Sequence, residues 1–140
     1  MTQIIIDAKG LILGRYAGFA AKQAILGNEV IIINASQSII SGRKSVLFER
    51  LRQKKAMGSN IRKGPYIPLR SDSYVKRSIR GMIPYKTAKG REALSKIRVY
   101  THNPKGVVAN VIVEGASAEK LPTSQYVVLE TLLKSQGGRV

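Results

Sequence analysis

The sequence predicts an α/β fold on three observations: two short β-branched runs, an alanine-rich segment of helical length between them, and a charge imbalance confined to another part of the chain. Ile4 to Ile6 ends at Asp7, and Val30 to Ile33 ends at Asn34. Unalternated apolar runs of this kind suit parallel strands covered on both faces. Between them, Gly14 to Leu26 reads as a helix closed by Gly27 and Asn28, residues that favour a helix C-terminus. Its Ala17, Gly18, Ala20, Ala21 and Ala24 let it lie close to a sheet. Strand, helix and strand in about thirty residues make a βαβ unit, which crosses over right-handed.

Later elements follow the same logic. Ser41 is placed to cap a helix from about Gly42 to Met57, with Leu47, Phe48 and Leu51 on its apolar side and Arg43, Lys44, Arg50 and Lys54 elsewhere. Gly58 to Leu69, "GSNIRKGPYIPL", holds two glycines and two prolines and breaks regular structure. A connection this long is usually functional or disordered, so it is expected to order only on a partner. Ser71 or Asp72 starts the next helix, whose core stripe is Val75, Ile79 and Met82 and whose opposite face carries Lys76, Arg77 and Arg80. Gly81, Ile83 and Pro84 end it. Thr87 or Lys89 begins a basic helix packed through Ala93, Leu94 and Ile97, and a strand follows in "VYTHNP". The alternating "VVANVIVEG" reads as a strand or as an apolar patch for a neighbouring protein. "SQYVVLETLLKSQGG" reads as a short strand and a helix stopped by Gly137.

Charge separates the function classes. The 140 residues suit one domain, 1–140, and carry a net charge of +16. Arg43 to Arg98 holds seventeen of the 24 basic residues against Glu49, Asp72 and Glu92, a net of +14; the remainder of the chain nets +2. Such an excess favours a polyanionic partner, because surface helices otherwise balance their cations with acids one turn away. In "YVKRSIRGMIPYKTAKGR", six cations and no acid are interleaved with apolar residues. The segment therefore faces both a core and a polyanion. The apolar residues are too few and too committed to a core to enter lipid, which leaves nucleic acid. Cations spread over several helices and a loop suit irregular folded RNA better than a DNA groove. Tyr66, Tyr74 and Tyr85 stand next to cations and are the aromatic candidates for RNA contact.

Catalysis finds little support. There is no cysteine and only one histidine, His102, so disulfides and thiolate metal sites are excluded. After Asp7, "AKGLILGR" fits neither phosphate-binding glycine pattern, so no nucleotide cofactor is expected. The eight acids are scattered, unlike a two-metal nuclease, and no metal is expected. Asp7 and Asn34 are expected to satisfy backbone groups in turns, and His102 to be a loop or surface residue. The start "MTQIIIDAKG" is neither a signal sequence nor a membrane span, which makes the cytoplasm the default location. A small RNA-acting enzyme using the same basic face is the alternative reading.

Two stretches carry a resemblance. "IDAKGLILGRYAGFAAKQAILGNEVIIINASQSIISGRK" and "VKRSIRGMIPYKTAKGREALSKIRVY" are similar to the signature regions of the thirteenth large-subunit ribosomal protein family, in its archaeal and eukaryotic branch. The likeness spans roughly residues 4 to 102, and the chain looks archaeal because it lacks a long C-terminal helical extension. It implies a three-layer α/β/α fold with a four-stranded parallel sheet and basic extensions, and a structural role on large-subunit ribosomal RNA, beside neighbouring ribosomal proteins, without catalysis. Arg77, Arg80, Gly81, Met82, Pro84, Lys86, Gly90 and Arg91 match the signature, as do Gly14 and Arg15 at the first helix start. With the other cations of the basic region, the expected RNA-binding set is Arg15, Arg43, Lys44, Arg62, Lys63, Arg70, Lys76, Arg77, Arg80, Lys86, Lys89, Arg91 and Arg98. Residues 105–121 depart from the family pattern.

Overall fold

The computed structural model describes residues 2–58 and 64–140. Strand β1 (Gln3–Asp7), helix α1 (Leu13–Ile25) and strand β2 (Glu29–Ile33) form the expected βαβ unit, with β1 and β2 parallel and Ile4 opposite Val30. The end of α1 is set by chain geometry: Gly27 turns with φ +100°, its N–H bonds the Ala24 carbonyl, and Asn28 N–H reaches back to Gln23. Ala17, Ala20, Ala21 and Ala24 are buried as expected, but Gly18 lies on the solvent side.

After β2 the chain forms β3 (Ile39–Ser41), α2 (Lys44–Ala56), α3 (Ser71–Met82), α4 (Ala88–Ser95), β4 (Ile97–Val99), β5 (Tyr126–Val128) and α5 (Leu129–Lys134). Strand β4 returns parallel beside β2, giving the order β1-β2-β4. This parallel sheet has three strands among the described residues, not the four implied by the resemblance. One reason is that β3 joins β5 instead, in a separate antiparallel pair. Another lies on the free side of β1, where Val111 makes a single parallel bridge to Ile6. There the Asn110 side chain takes over from a strand: its amide oxygen accepts Ile5 N–H at 2.7 Å and its amide nitrogen donates to Gln3 O at 2.9 Å. A side-chain amide thus covers an edge that would otherwise expose backbone groups. "VVANVIVEG" is accordingly no strand; Val113 is buried while Val108 and Ile112 are exposed.

Several boundaries differ from the sequence reading. Ser41 ends β3 opposite Tyr126 and does not cap α2, whose N-cap is Arg43. Helix α3 does start at Ser71, as expected, with Arg70 as its N-cap, and the buried Ser71 hydroxyl has no partner among the described residues. Met82 is exposed, and Ile83, in extended backbone just past the end of the helix, is buried in its place. Ile97 belongs to β4 and not to the helix before it. Within Gly58 to Leu69, the connection expected to order only on a partner, Ile67 and Leu69 pack against the core; residues 59–63, with Arg62 and Lys63, lie outside the described residues.

The core joins α1, β1 and β2 to Val75 and Ile79 of α3 and to Val127, Leu129, Leu132 and Leu133 near the C-terminus. Within it Tyr16 is fully buried, its hydroxyl 2.7 Å from Ser38 Oγ, which itself donates to Ala35 O. Burial pushes the Tyr16 phenol above its ordinary value of 10.0, and the Ser38 hydrogen bond opposes that rise only in part. A folded value above the unfolded one gives stability that is complete below the unfolded value and declines as pH rises past it. Above pH 10 stability should therefore fall by about 1.4 kcal/mol per pH unit for this one group. Tyr16→Phe should remove that slope while costing about 1 kcal/mol at neutral pH for the lost hydrogen bond. Denaturant melts of both chains between pH 7 and 11 check this; parallel pH profiles would contradict it.

Candidate nucleic-acid interface

The segment from α3 to α4 is built as one unit, and its cations are placed by it. Val75 and Ile79 bury one face of α3, which leaves Arg77 and Arg80 exposed and Lys76 half-buried. Beyond Ile83 the chain folds into a tight turn. Thr87 N–H and Thr87 Oγ1 both donate to Pro84 O, at 3.0 and 2.8 Å. Thr87 then caps α4 by accepting Gly90 N–H at 3.1 Å. Gly90 sits so close to the turn that only hydrogen fits on its inner side. Lys86, Lys89 and Arg91 project from this knot and are exposed. Arg80 lies over the Tyr85 ring at 5.2 Å, a cation–π contact that holds both at the surface.

The wall facing α3 comes from residues 65–68. Arg77 donates a guanidinium hydrogen bond to the Tyr66 carbonyl, which ties this segment to the helix. Two grooves flank it. One, of about 390 Å³, has Leu51, Met57 and Tyr74 in its lining with Lys54 and Arg77; the other, of about 520 Å³, is lined by Lys76, Arg77, Arg80 and Leu94. Neither lining contains an acid.

Other expected residues lie apart from these grooves. Arg43 and Lys44 stand at the start of α2 beside Ser124, Gln125 and Tyr126, with Lys44 Nζ 5.4 Å from the Phe48 ring centre. Arg70 pairs with Asp72 at 3.0 Å. Arg98 is exposed on β4. Arg15 is turned onto the Gly115 carbonyl, bracing the start of α1 against the 105–121 segment. Among the described residues the other ion pairs are Lys96 with Glu92 and Lys134 with Glu130, so of the expected set only Arg70 is charge-paired. The hydrogen bond and charge of Lys96 hold the Glu92 carboxyl below its ordinary value.

Sequence reasoning undervalued α2. Leu51 is its one buried residue, Leu47 and Phe48 are half-buried, and Arg50, Arg52, Lys54 and Lys55 are exposed against a single acid, Glu49. A helix polar on nearly every side gains little from its own core. The signal was present in "ERLRQKKA", but the three apolar residues drew attention to a stripe that is only partly covered. Lys55 Nζ does bind the Gln136 carbonyl at 2.7 Å, anchoring the far end of the helix.

The enzyme candidates are accounted for locally. Asp7 accepts Lys9 N–H at 3.0 Å and the Asn34 side-chain amide at 2.9 Å, while Asn34 takes a left-handed φ of 57°. His102 is exposed, with Nδ1 3.5 Å from Ser36 Oγ. Asp7 thus satisfies a turn, as expected.

Residues 1–106 match the family described as Ribosomal protein L13. The chain belongs to that family. It is 39% identical over 137 residues to the large ribosomal subunit protein uL13 of Halobacterium salinarum, covering 98% of this chain and 92% of the relative. To the uL13 of Methanocaldococcus jannaschii it is 40% identical over 138 residues, 96% of this chain and 98% of the relative. To that of Thermoplasma acidophilum it is 38% identical over 136 residues, with the same two coverages. All three relatives are archaeal, in line with the expected branch. The family is one of structural, non-catalytic ribosomal proteins. The likeness to these relatives runs through 105–121, the stretch that departs from the expected pattern.

Proposed function

We propose that the chain is a structural constituent of the cytoplasmic large ribosomal subunit and holds ribosomal RNA through its basic surface. The observation that carries this reading is the charge excess of 43–98: a net of +14 in the sequence, whose described cations stand on α2, α3, α4, β4 and the adjoining turns with few acids opposed to them. Self-repulsion of that size is relieved when phosphates replace the missing acids. The RNA-facing set comprises Arg43, Lys44, Arg70, Lys76, Arg77, Arg80, Lys86, Lys89, Arg91 and Arg98, with Arg15 at the edge; Arg62 and Lys63 belong to it by sequence. Val108 and Ile112, exposed beside β1, are offered to a neighbouring ribosomal protein. Helix α1 packs on α3 and α4, and the three lie against the sheet as one helical layer; a second layer on the other face, and one domain over 1–140, belong to the same proposal.

Sedimentation tests it. A structural constituent should travel with large subunits at one copy each after a high-salt wash. A substoichiometric protein that washes off at moderate salt would count against the assignment and for an RNA-acting factor.

A further inference from the structure

Resting on that reading, we infer that the grooves flanking residues 65–68 hold an unpaired stretch of RNA, with one base lodged beside Tyr66 and the neighbouring phosphates on Lys76 and Arg80. The two grooves share Tyr66, Ile67, Pro68 and Arg77. They are therefore two sides of one ridge. On the α2 side the lining is mostly apolar, with Leu51, Met57 and Tyr74, and at about 390 Å³ the space falls in the range of small-ligand sites. On the α3 side it is cationic, with Lys76, Arg77 and Arg80. A nucleotide has the same division between a flat base and a charged phosphate. A strand crossing the ridge sets its base on one side and its backbone on the other.

Charge and shape select the occupant. Four cations and no acid line the pair of grooves, which disfavours a basic partner and attracts a polyanion. Paired RNA cannot use the apolar side, because its bases are stacked inside an A-form helix and only backbone and shallow edges are offered. An unstacked base can, since aromatic and apolar walls accept any π-face. Tyr66 is 60% exposed and positioned from below, through the Arg77 bond to its carbonyl and the seating of Ile67 against the core. The ridge is thus tied to α3 and to the core on the side away from solvent.

The test uses the full chain and two probes of equal length, a single-stranded RNA hexamer carrying one 2-aminopurine and a blunt RNA duplex. The single strand should bind more tightly than the duplex and its fluorescence should be quenched. Tyr66→Leu should weaken that binding on the order of tenfold and abolish most of the quenching, with the salt dependence unchanged because no phosphate contact is lost. Tyr66→Phe should restore both. Arg80→Gln should lower the salt slope by about one while keeping the quenching. Unchanged affinity and quenching in Tyr66→Leu, or a preference for the duplex, would overturn the base site, while a steep salt slope for either RNA would leave the basic surface standing. If the chain bound neither RNA, both readings would fall together.

Discussion

Affinity for ribosomal RNA is expected to drop several thousandfold between 50 and 200 mM salt. About eight cations of the 43–98 region meeting phosphates give a slope of roughly −6 to −7 in log K against log salt, at about 0.7 to 0.9 per phosphate. The structure provides ten described cations of the expected set in that region, and only Arg70 is bound to a carboxylate. Each of the other nine arrives without an acid to displace. A filter-binding or anisotropy titration over that salt range measures the slope directly. A value near −2 would mean that most of these side chains stay in solvent, and the surface described here would not be the main footprint.

Gly90→Ala is expected to destabilise the fold by about 3 kcal/mol or more, the upper end of overpacking effects. A methyl group there would stand 2.0 Å from the Pro84 carbonyl oxygen and 2.4 Å from its carbon, and both are backbone atoms that cannot rotate away. The Thr87 bonds to Pro84 O and from Gly90 N–H lie in the same knot, so the turn cannot yield without losing them. Gly81 provides the contrast. Nothing lies within 4 Å of a methyl group at that position, which is exposed near the end of α3, and Gly81→Ala should stabilise by about 0.5 to 1 kcal/mol through helix propensity. Thermal melts of the two variants should move in opposite directions. Similar shifts would show that the turn is looser than its geometry indicates.

These two glycines also show what a sequence can reveal. Both match the family signature, yet only packing distinguishes a glycine with no room from one with nothing around it. The βαβ unit was legible because Ile4 to Ile6, Gly14 to Leu26 and Val30 to Ile33 are local patterns with clear ends. Strand β3 was not. Ile39–Ser41 is three residues long, and its partner is met only at Tyr126–Val128. No window of sequence contains both. The missing fourth parallel strand has the same origin: the choice of β3 for β5, and of Asn110 for the β1 edge, is made by tertiary neighbours. For the candidate site, the charge excess itself was legible, since electrostatic excess is additive along a chain. It did not show that Arg15 is spent on Gly115, that Arg70 is paired, or that Arg77 holds Tyr66 in place.

The ladder between β3 and β5 has a consequence for synthesis at the ribosome. Ser41 pairs with Tyr126, so the contact closes a span of roughly eighty-five residues, a costly loop by chain entropy. Everything between those strands, including the entire basic region, emerges from the exit tunnel before the closure can form. Val127, Leu129, Leu132 and Leu133 arrive later still, although they fill the core beneath α3 and the 35–37 turn. For that interval the nascent chain carries the whole basic region without its finished core. A nascent chain stalled before Tyr126 should be protease-sensitive and prone to capture by any RNA within reach, and the emergence of Tyr126 to Leu133 should reduce both.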